Sequence, residues 1–307
     1  MKVVLPVAGN GLRLRPYTEN LPKCLLPVAG KTILDWIVED SLKLSPSETI
    51  FITGYKADVV DEFLTRRPSW GKTRTVVQSN PQGLGEAVSL ALPYVDDDDS
   101  LLIILGDTLF DADFSILKNV QENILYTYKV EDPKRFGVAV TDSEGFIKQL
   151  VEKPQEFISD EALVGIYYIK DVKVLKDSLK YLMDNDIRTK NEFQLTDALE
   201  MMIQKGCKFK TAPVKHWLDC GLAETLLETN AHVLKSYNNA DDGRFEGCKI
   251  ISPCYIGNNV KIENSTIGPN VSIDDNVVIK DSIVKDAVVW SGVTIDHKTI
   301  AGQIVHE

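Results

Sequence analysis

The densest chemistry in the chain lies near its start. Pro6-Val7-Ala8-Gly9-Asn10-Gly11-Leu12-Arg13-Leu14-Arg15-Pro16-Tyr17-Thr18, with Pro22-Lys23 just beyond, follows the apolar run Val3-Val4-Leu5. Glycines placed directly after a buried strand let backbone N–H groups approach phosphate oxygens. Two arginines and a lysine in the same stretch can offset the charge of a triphosphate. The stretch is not a P-loop, because G-K-[ST] is missing. Nor is it the dinucleotide pattern G-x-G-x-x-G, because Leu14 stands where the last glycine should be. Taken alone, such a loop names no ligand. The cysteines offer less. Cys24, Cys207, Cys220, Cys248 and Cys254 form no C-x-x-C pair, and their odd number fits reduced thiols better than a disulfide framework. No histidine flanks Cys220 at a suggestive spacing, so it reads as a packing residue.

Positioning this loop requires a scaffold, and the pattern supplies one. Residues 2–7 read as a buried strand. Ile33, Leu34, Ile37, Val38 and Leu42 have helical spacing over residues 32–44. Strands follow at 48–53, 73–78 and 100–105, with helical pieces at 58–64 and from 85 to 92. The last of these strands, Leu101-Leu102-Ile103-Ile104-Leu105, runs straight into Gly106-Asp107. Alternating strands and helices predict βαβ units and a mainly parallel, doubly wound, Rossmann-like α/β sheet. Ligands of such sheets bind outside the carboxyl ends of the strands, where the first loop and Asp107 both fall. The middle, about 124–168, is richer in strands, and helical pieces return near 195–204 and 223–235.

The texture then changes. Residues 236–247 are polar and read as a linker or surface loop. After them Ile256-Gly257-Asn258-Asn259-Val260-Lys261-Ile262, Ile267-Gly268-Pro269-Asn270-Val271-Ser272-Ile273 and Asp275-Asn276-Val277-Val278-Ile279 repeat an aliphatic residue about every six positions. That predicts a short C-terminal left-handed β-helix of hexapeptide repeats, stable only as a stack. The domains are expected at 1–237 and 248–307.

A chain of 307 residues with a formal net charge of −11 is poorly suited to nonspecific binding of nucleic acid or an anionic membrane. The apolar start is too short for a signal peptide, and no apolar stretch of about 18 residues occurs, so a cytoplasmic protein is expected.

The first loop resembles the signature loop of the sugar-nucleotide pyrophosphorylases, or sugar-1-phosphate nucleotidyltransferases, A-G-G-x-G-T-R-L-x-P-x-T-x-x-x-P-K. It is one residue shorter, and Leu12 replaces the usual Thr. The likeness covers nearly the whole chain. Gln78-Ser79-Asn80-Pro81-Gln82-Gly83-Leu84-Gly85-Glu86-Ala87 is similar to the family's base-reading segment. Gly106-Asp107 and Trp217-Leu218-Asp219-Cys220-Gly221 resemble its G-D and W-x-D-x-G metal motifs. Gly137, Val151-Glu152-Lys153-Pro154, Ala162-Leu163-Val164-Gly165-Ile166-Tyr167 and Asn191-Glu192-Phe193-Gln194-Leu195-Thr196-Asp197 resemble the sugar-binding half. The order of motifs and the appended repeats look most like the long-form glucose-1-phosphate thymidylyltransferases, with uridylyltransferases close behind.

The resemblance implies joining dTTP or UTP to a sugar 1-phosphate, expected to be glucose 1-phosphate, with release of pyrophosphate. It implies Mg²⁺ held by Asp107 and Asp219, two hard oxygen ligands. Arg13, Lys23, Asp107, Lys153 and Asp219 would be the catalytic residues. Ala8, Gly9, Asn10, Gly11, Gln78, Pro81, Gly83 and Asp107 would bind the nucleotide. An amide such as Gln78 offers one donor and one acceptor, which suits uracil or thymine. Gly137, Glu152, Lys153, Val164, Gly165, Tyr167 and Lys190 would bind the sugar phosphate. The sugar phosphate, with a second pKa near 6, is already a nucleophile and needs no catalytic base. His216 is expected to pack or to support the metal motif. Two other classes compete. One is acyl transfer on the hexapeptide stack, with His297 as its plausible base. The other is a noncatalytic regulatory relative, which would be expected to lose metal or phosphate residues. Exposed β-helix faces leave a homo-oligomer open.

Overall fold

A computed structural model describes residues 1–237 and 244–307. The core of the polar stretch read as a linker, residues 238–243, lies outside the described residues. Packing divides the chain into two compact units that do not follow it linearly. One holds Met1–Asn10, Ile37–Gly106 and Phe110–Trp217; the other holds Gly11–Trp36, Asp107–Leu109 and Leu218–Glu307. The linear division at 1–237 and 248–307 remains a proposal about separately built modules.

The first unit is a mixed α/β sheet in the order Ile147–Glu152, Gly137–Thr141, Glu161–Ile169, Leu101–Ile104, Lys2–Pro6, Glu48–Thr53, Thr73–Val77. The last four strands are parallel, as the βαβ pattern requires. The strand-rich middle joins antiparallel through Glu161–Ile169, so the doubly wound half is extended by antiparallel strands. Asn123–Lys129 and Phe209–Pro213 pair with each other in parallel beside it. Lys2–Pro6 lies between Glu48–Thr53 and Leu101–Ile104, so the order reverses there. That reversal opens a crevice at the carboxyl ends of Lys2–Pro6 and Leu101–Ile104.

The helices are α1 (Ile33–Leu42), α2 (Ala57–Thr65), α3 (Leu84–Ala91), α4 (Val172–Asp184), α5 (Leu195–Gln204) and α6 (Ala223–Leu234). Sequence reading left out α4, although Val172, Leu175, Leu179 and Leu182 stand at helical spacing and are buried. With α3 and α5, this helix covers one face of the sheet over a core that includes Val4, Ile50, Ile103, Leu125 and Phe209. Among the described residues no helix is long and apolar enough to cross a membrane.

In the second unit the repeats stack as a β-helix. Lys249 pairs with Thr266, Thr266 with Ile283 and Ile283 with Thr299, giving coils of 17, 17 and 16 residues. The other two faces carry Cys254, Val271, Ala287 and Lys261, Val278, Thr294 in the same parallel fashion. The interior is aliphatic: Ile262, Ile267, Val271, Ile273, Ile279, Val284 and Ile295 are buried among others. The corners explain the polar half of the repeat. Asn259, Asn276 and Gly292 stack in one corner column, Asn264, Asp281 and His297 in a second, and Asn270, Asp286 and Gly302 in a third, all with positive φ. Asn, Asp and Gly enter that left-handed region most readily. The side chains also tie coil to coil: Asn270 Nδ2 donates to Asp286 Oδ1 at 2.7 Å, and Asn264 Nδ2 to Asp281 Oδ1 at 3.3 Å.

Candidate active site

The crevice of the sheet brings two motifs together. Gly106 N donates to Pro6 O at 3.3 Å, and a Cβ on Gly106 would lie 2.4 Å from Val7 Cγ1. Only glycine permits that approach, which explains the Gly of Gly106-Asp107. Ala8 is buried against Gly54, while Gly9 and Asn10 are exposed. Among the described residues nothing lies within 4 Å of the place a Gly9 Cβ would take, so no packing among them requires that glycine.

From Gly11 onward the loop belongs to the β-helix unit. Gly11, at φ 59°, starts a 3-10 turn at Leu12–Leu14, and its carbonyl accepts from Leu14 N at 2.9 Å and Thr18 Oγ1 at 2.8 Å. A side chain there would meet Thr18 Cγ2 at 2.9 Å. Leu14 and Thr18 are buried, and this anchoring turns Arg13 and Leu12 outward, Leu12 at 59% exposure.

Charges gather in the same unit. Lys23 starts a second 3-10 turn, is largely buried, and donates from Nζ to Asp107 Oδ2 at 3.0 Å. Thr108 Oγ1 donates to Asp107 Oδ1 at 3.3 Å. Asp219 ends the His216–Asp219 strand; its Oδ1 accepts from Gly221 N at 2.9 Å and its Oδ2 from Thr225 Oγ1 at 3.3 Å. A Cβ on Gly221 would lie 2.8 Å from Asp219 Oδ1 and 3.0 Å from Arg13 Nη2, so the arginine and the carboxylate flank this glycine. Cys220 lies buried at the centre. Burial pushes its thiol up to about 12, Lys23 pulling the other way and Asp219 and Asp107 adding to the rise. One thiol thus feels Lys23, Asp107 and Asp219 together, and it stays protonated at neutral pH, as a packing residue should. His216, expected to pack or to support the metal motif, is exposed at the start of the strand that ends in Asp219. The donor set fits a hard divalent cation: two carboxylates with free oxygen lone pairs, and no soft ligand in ionised form.

The segments expected to read the base and bind the sugar lie in the sheet unit. Gln78 is buried just after the Thr73–Val77 strand, its N donating to Thr53 O at 2.7 Å. Its side-chain Nε2 donates to Glu86 Oε2, and Gln82 N donates to the same oxygen at 3.3 Å. Glu86 therefore sets which way the amide faces. Sequence reading missed it, because an acidic residue in a helix's first turn already has a dipole reason to be there. Gly83 has φ 122°, and a Cβ would sit 2.6 Å from Phe193 O. Phe193 N donates to Gln82 O at 2.8 Å, and Arg188 Nη2 donates to Gln82 Oε1 at 2.8 Å while stacking over the Phe193 ring. These contacts latch the Gln78–Ala87 segment to the segment carrying Lys190. Pro81 and Lys190 are exposed.

Glu152 ends the Ile147–Glu152 strand and Lys153 follows it. Thr196 Oγ1 donates to Glu152 Oε2 at 2.7 Å, and Lys153 Nζ lies 3.4 Å from Glu152 Oε1. A Cβ on Gly137 would crowd Glu152 Oε2 at 3.0 Å and Thr196 Oγ1 at 3.1 Å. Thr196 thus positions Glu152, a role its sequence context hides behind helix capping. Burial, with the charge of Glu152 adding, raises the neighbouring Asp197 carboxyl, and its Oδ2 is buried with no hydrogen-bond partner among the described residues. Lys153 and Lys190 have positive φ, a strained choice for lysine that recurs at functional sites, and Asn191 beside Lys190 takes the same region at little cost. Gly165, at φ 90°, sits at a register shift of its strand with Leu105 against it. The neighbouring Val164 and Tyr167 are 2% and 5% exposed, and Tyr167 belongs to the core, so they shape the sheet under this site more than they face it. His297 stands at an exposed β-helix corner, with Nδ1 2.8 Å from Asp296 Oδ1.

Comparison with known proteins bears on the family and the fold. Residues 2–236 match the family model described as nucleotidyl transferase. The low-salt glycan biosynthesis nucleotidyltransferase Agl11 of Haloferax volcanii is 32% identical over 76% of this chain. The chain spans 66% of that protein's own length, just under two thirds. A glucose-1-phosphate thymidylyltransferase of Streptomyces antibioticus is 29% identical over 92% of this chain and 85% of its own. A solved UDP-glucose pyrophosphorylase bound to UDP-glucose shares the fold at TM-score 0.65, covering 77% of this chain and 99% of that one at 23% identity. With a family model spanning most of its length, the chain belongs to the nucleotidyl transferase family.

Proposed function

We propose that the protein transfers a nucleotidyl group from dTTP or UTP to a sugar 1-phosphate, glucose 1-phosphate first among them, releasing pyrophosphate. The observation that carries this reading is the charge group of Arg13, Lys23, Asp107 and Asp219 assembled around Gly221 and Cys220. The Streptomyces relative and the UDP-glucose-bound neighbour support the thymidine or uridine choice.

Nucleotidyltransferases of this family generally use a divalent metal. Asp107 and Asp219 would hold it, and Mg²⁺ suits their oxygen donors. Bound there, it would supply charge neutralisation at the reacting phosphates. Arg13 and Lys23 would offset charge on the α-phosphate and the leaving pyrophosphate. Lys23, now on Asp107, is kept nearly buried, so its charge is little screened. Gly9 leaves room for a ligand's close approach to the backbone. Gln78, its amide oriented by Glu86, would read the base edge. Glu152, oriented by Thr196, would accept hydrogen bonds from sugar hydroxyls, and Lys153 would hold the sugar phosphate. The nucleophile is the sugar phosphate's own oxygen, so catalysis rests on positioning and charge. The protein would act in the cytoplasm on small molecules.

The test is pyrophosphate release with Mg²⁺ from dTTP, UTP, CTP, GTP or ATP against glucose, galactose, mannose and N-acetylglucosamine 1-phosphates. Release with dTTP or UTP and glucose 1-phosphate is the expected result. Release only with CTP or a purine triphosphate would sink the assignment of Gln78, and silence across the panel would sink the reaction.

A further inference from the structure

The β-helix unit contains the stretch that carries both proposed phosphate cations, and it grips that stretch on both sides of them. On the first side stands Tyr17, between the 3-10 turn that presents Arg13 and the Thr18 that holds Gly11. Its ring meets the edge of His306 at a centroid distance of 5.0 Å and lies 6.3 Å from Trp290; Trp290 and His306 are 5.5 Å apart. Both partners come from the last coils of the β-helix. The Trp290 Nε1 hydrogen is buried with no acceptor among the described residues, so ring packing decides where this indole lies.

On the other side, just past Lys23, the hairpin of Pro27–Val28 and Lys31–Thr32 is pinned at its turn. Ala29 holds φ 49°, which an alanine adopts only under constraint. Its N donates to Asn230 Oδ1 at 2.9 Å, and its carbonyl accepts from Tyr237 OH at 2.8 Å. Asn230 is fully buried; it accepts from Ser272 Oγ and donates to Asn270 O at 3.4 Å, both on the β-helix. The ring of Tyr255, on the Cys254–Ile256 strand, covers Gly30 so closely that a Cβ there would lie 2.4 Å from it.

We propose that the β-helix is a positioning element for the proposed phosphate site: Trp290 and His306 through Tyr17, and Asn230 through Ala29, hold the 11–32 segment so that Arg13 and Lys23 meet the triphosphate. Tyr17, Trp290, His306 and Asn230 touch no reacting atom; they act through the loop. The grip has a direct consequence for the proposed transfer. Loosening it leaves the sugar-phosphate groups of the sheet unit untouched and lowers turnover rather than affinity for the sugar phosphate.

This inference rests on the proposed reaction for its kinetic arm but has a second readout that does not. Full-length Trp290→Ala/His306→Ala protein is compared with wild type by tryptic cleavage after Arg13, with cleavage after the exposed Arg135 as internal reference. Release of the clamp is expected to speed the first cut about tenfold and leave the second unchanged. In turnover with dTTP and glucose 1-phosphate, kcat falls about tenfold or more while the KM for glucose 1-phosphate stays within twofold, and Trp290→Phe restores most of the loss. Should the double variant misfold, Tyr17→Ala opens the same contact from the loop side and Tyr17→Phe is its rescue. Equal cleavage after Arg13 in folded variants and wild type overturns the proposal, whatever the activity. Faster cleavage with wild-type protein inactive across the substrate panel leaves the clamp standing and overturns the reaction instead.

Discussion

The groups proposed to handle charge and those proposed to read shape are built in different ways. Arg13, Lys23, Asp107 and Asp219 sit on loops, 3-10 turns and a strand end within the β-helix unit. Gln78, Glu152 and Lys153 sit at the ends of strands in the large sheet, the first two with a dedicated partner fixing a side-chain oxygen or amide. The difference follows from how the forces fall off. Coulomb attraction declines slowly with distance, so a cation on a loop still acts if it is merely near and poorly solvated. A hydrogen bond weakens steeply with angle and within a few tenths of an ångström, so base and sugar readers need a rigid sheet and a partner. Changes in the first group should therefore strike rate, and changes in the second should strike choice and affinity.

The largest effect is expected at the carboxylates. Asp107→Asn and Asp219→Asn should each lower kcat by on the order of 10³, with Lys23→Met close behind at about 10²–10³, as for other charge-stabilising groups. Melting temperatures should stay near wild type, and substantial turnover by Asp219→Asn would erase the distinction drawn between the groups. A smaller effect tests base choice. Glu86→Gln frees the Gln78 amide to turn over, exchanging donor and acceptor, so kcat/KM for dTTP or UTP relative to CTP should fall about tenfold, roughly 1.4 kcal/mol. An unchanged ratio would remove Gln78 from base reading. Smaller still, Thr196→Val takes one hydrogen bond from Glu152, of order 1 kcal/mol. The KM for the sugar 1-phosphate should rise about fivefold with kcat nearly constant; a drop in kcat alone would mean Glu152 belongs with the charge group.

The smallest effect concerns the scaffold of the charge group. Burial, with the charge of Asp275 adding, pushes the Asp274 carboxyl up to about 7 from 3.8. A carboxyl raised on folding favours the protonated native state, so its stabilisation is complete below about pH 4 and is lost as the pH rises through 7. Asp274→Asn should accordingly raise the melting temperature by a few degrees at pH 8 and leave it unchanged at pH 4. Equal shifts at both pH values would show that Asp274 is not the group that titrates.

Much of this was legible in the chain. The parallel half of the sheet follows from Val3-Val4-Leu5 and Leu101–Leu105, short apolar runs flanked by Gly or Pro that read as buried strands between helices. The β-helix follows from Val271, Ile273 and Ile279 recurring with Asn270 and Asn276, because the same residues that fill its interior and tolerate its corners also mark its period. The antiparallel extension was not legible, since a strand's apolar pattern is the same whichever way its neighbour runs. Nor was α4, whose charged residues masked a clear apolar stripe.

The sequence by itself determined the elements, the glycines that permit close approach, and the types of residue able to bind phosphate, metal, base and sugar, because backbone tolerance, hydrophobic period and side-chain chemistry are local properties. Tertiary structure alone decided which partners orient them. Thr196 reaches Glu152 across 44 positions, and Asn230 reaches Ala29 across 201. Such pairings leave no local trace, because a single hydrogen bond between distant segments constrains neither segment's period nor its composition.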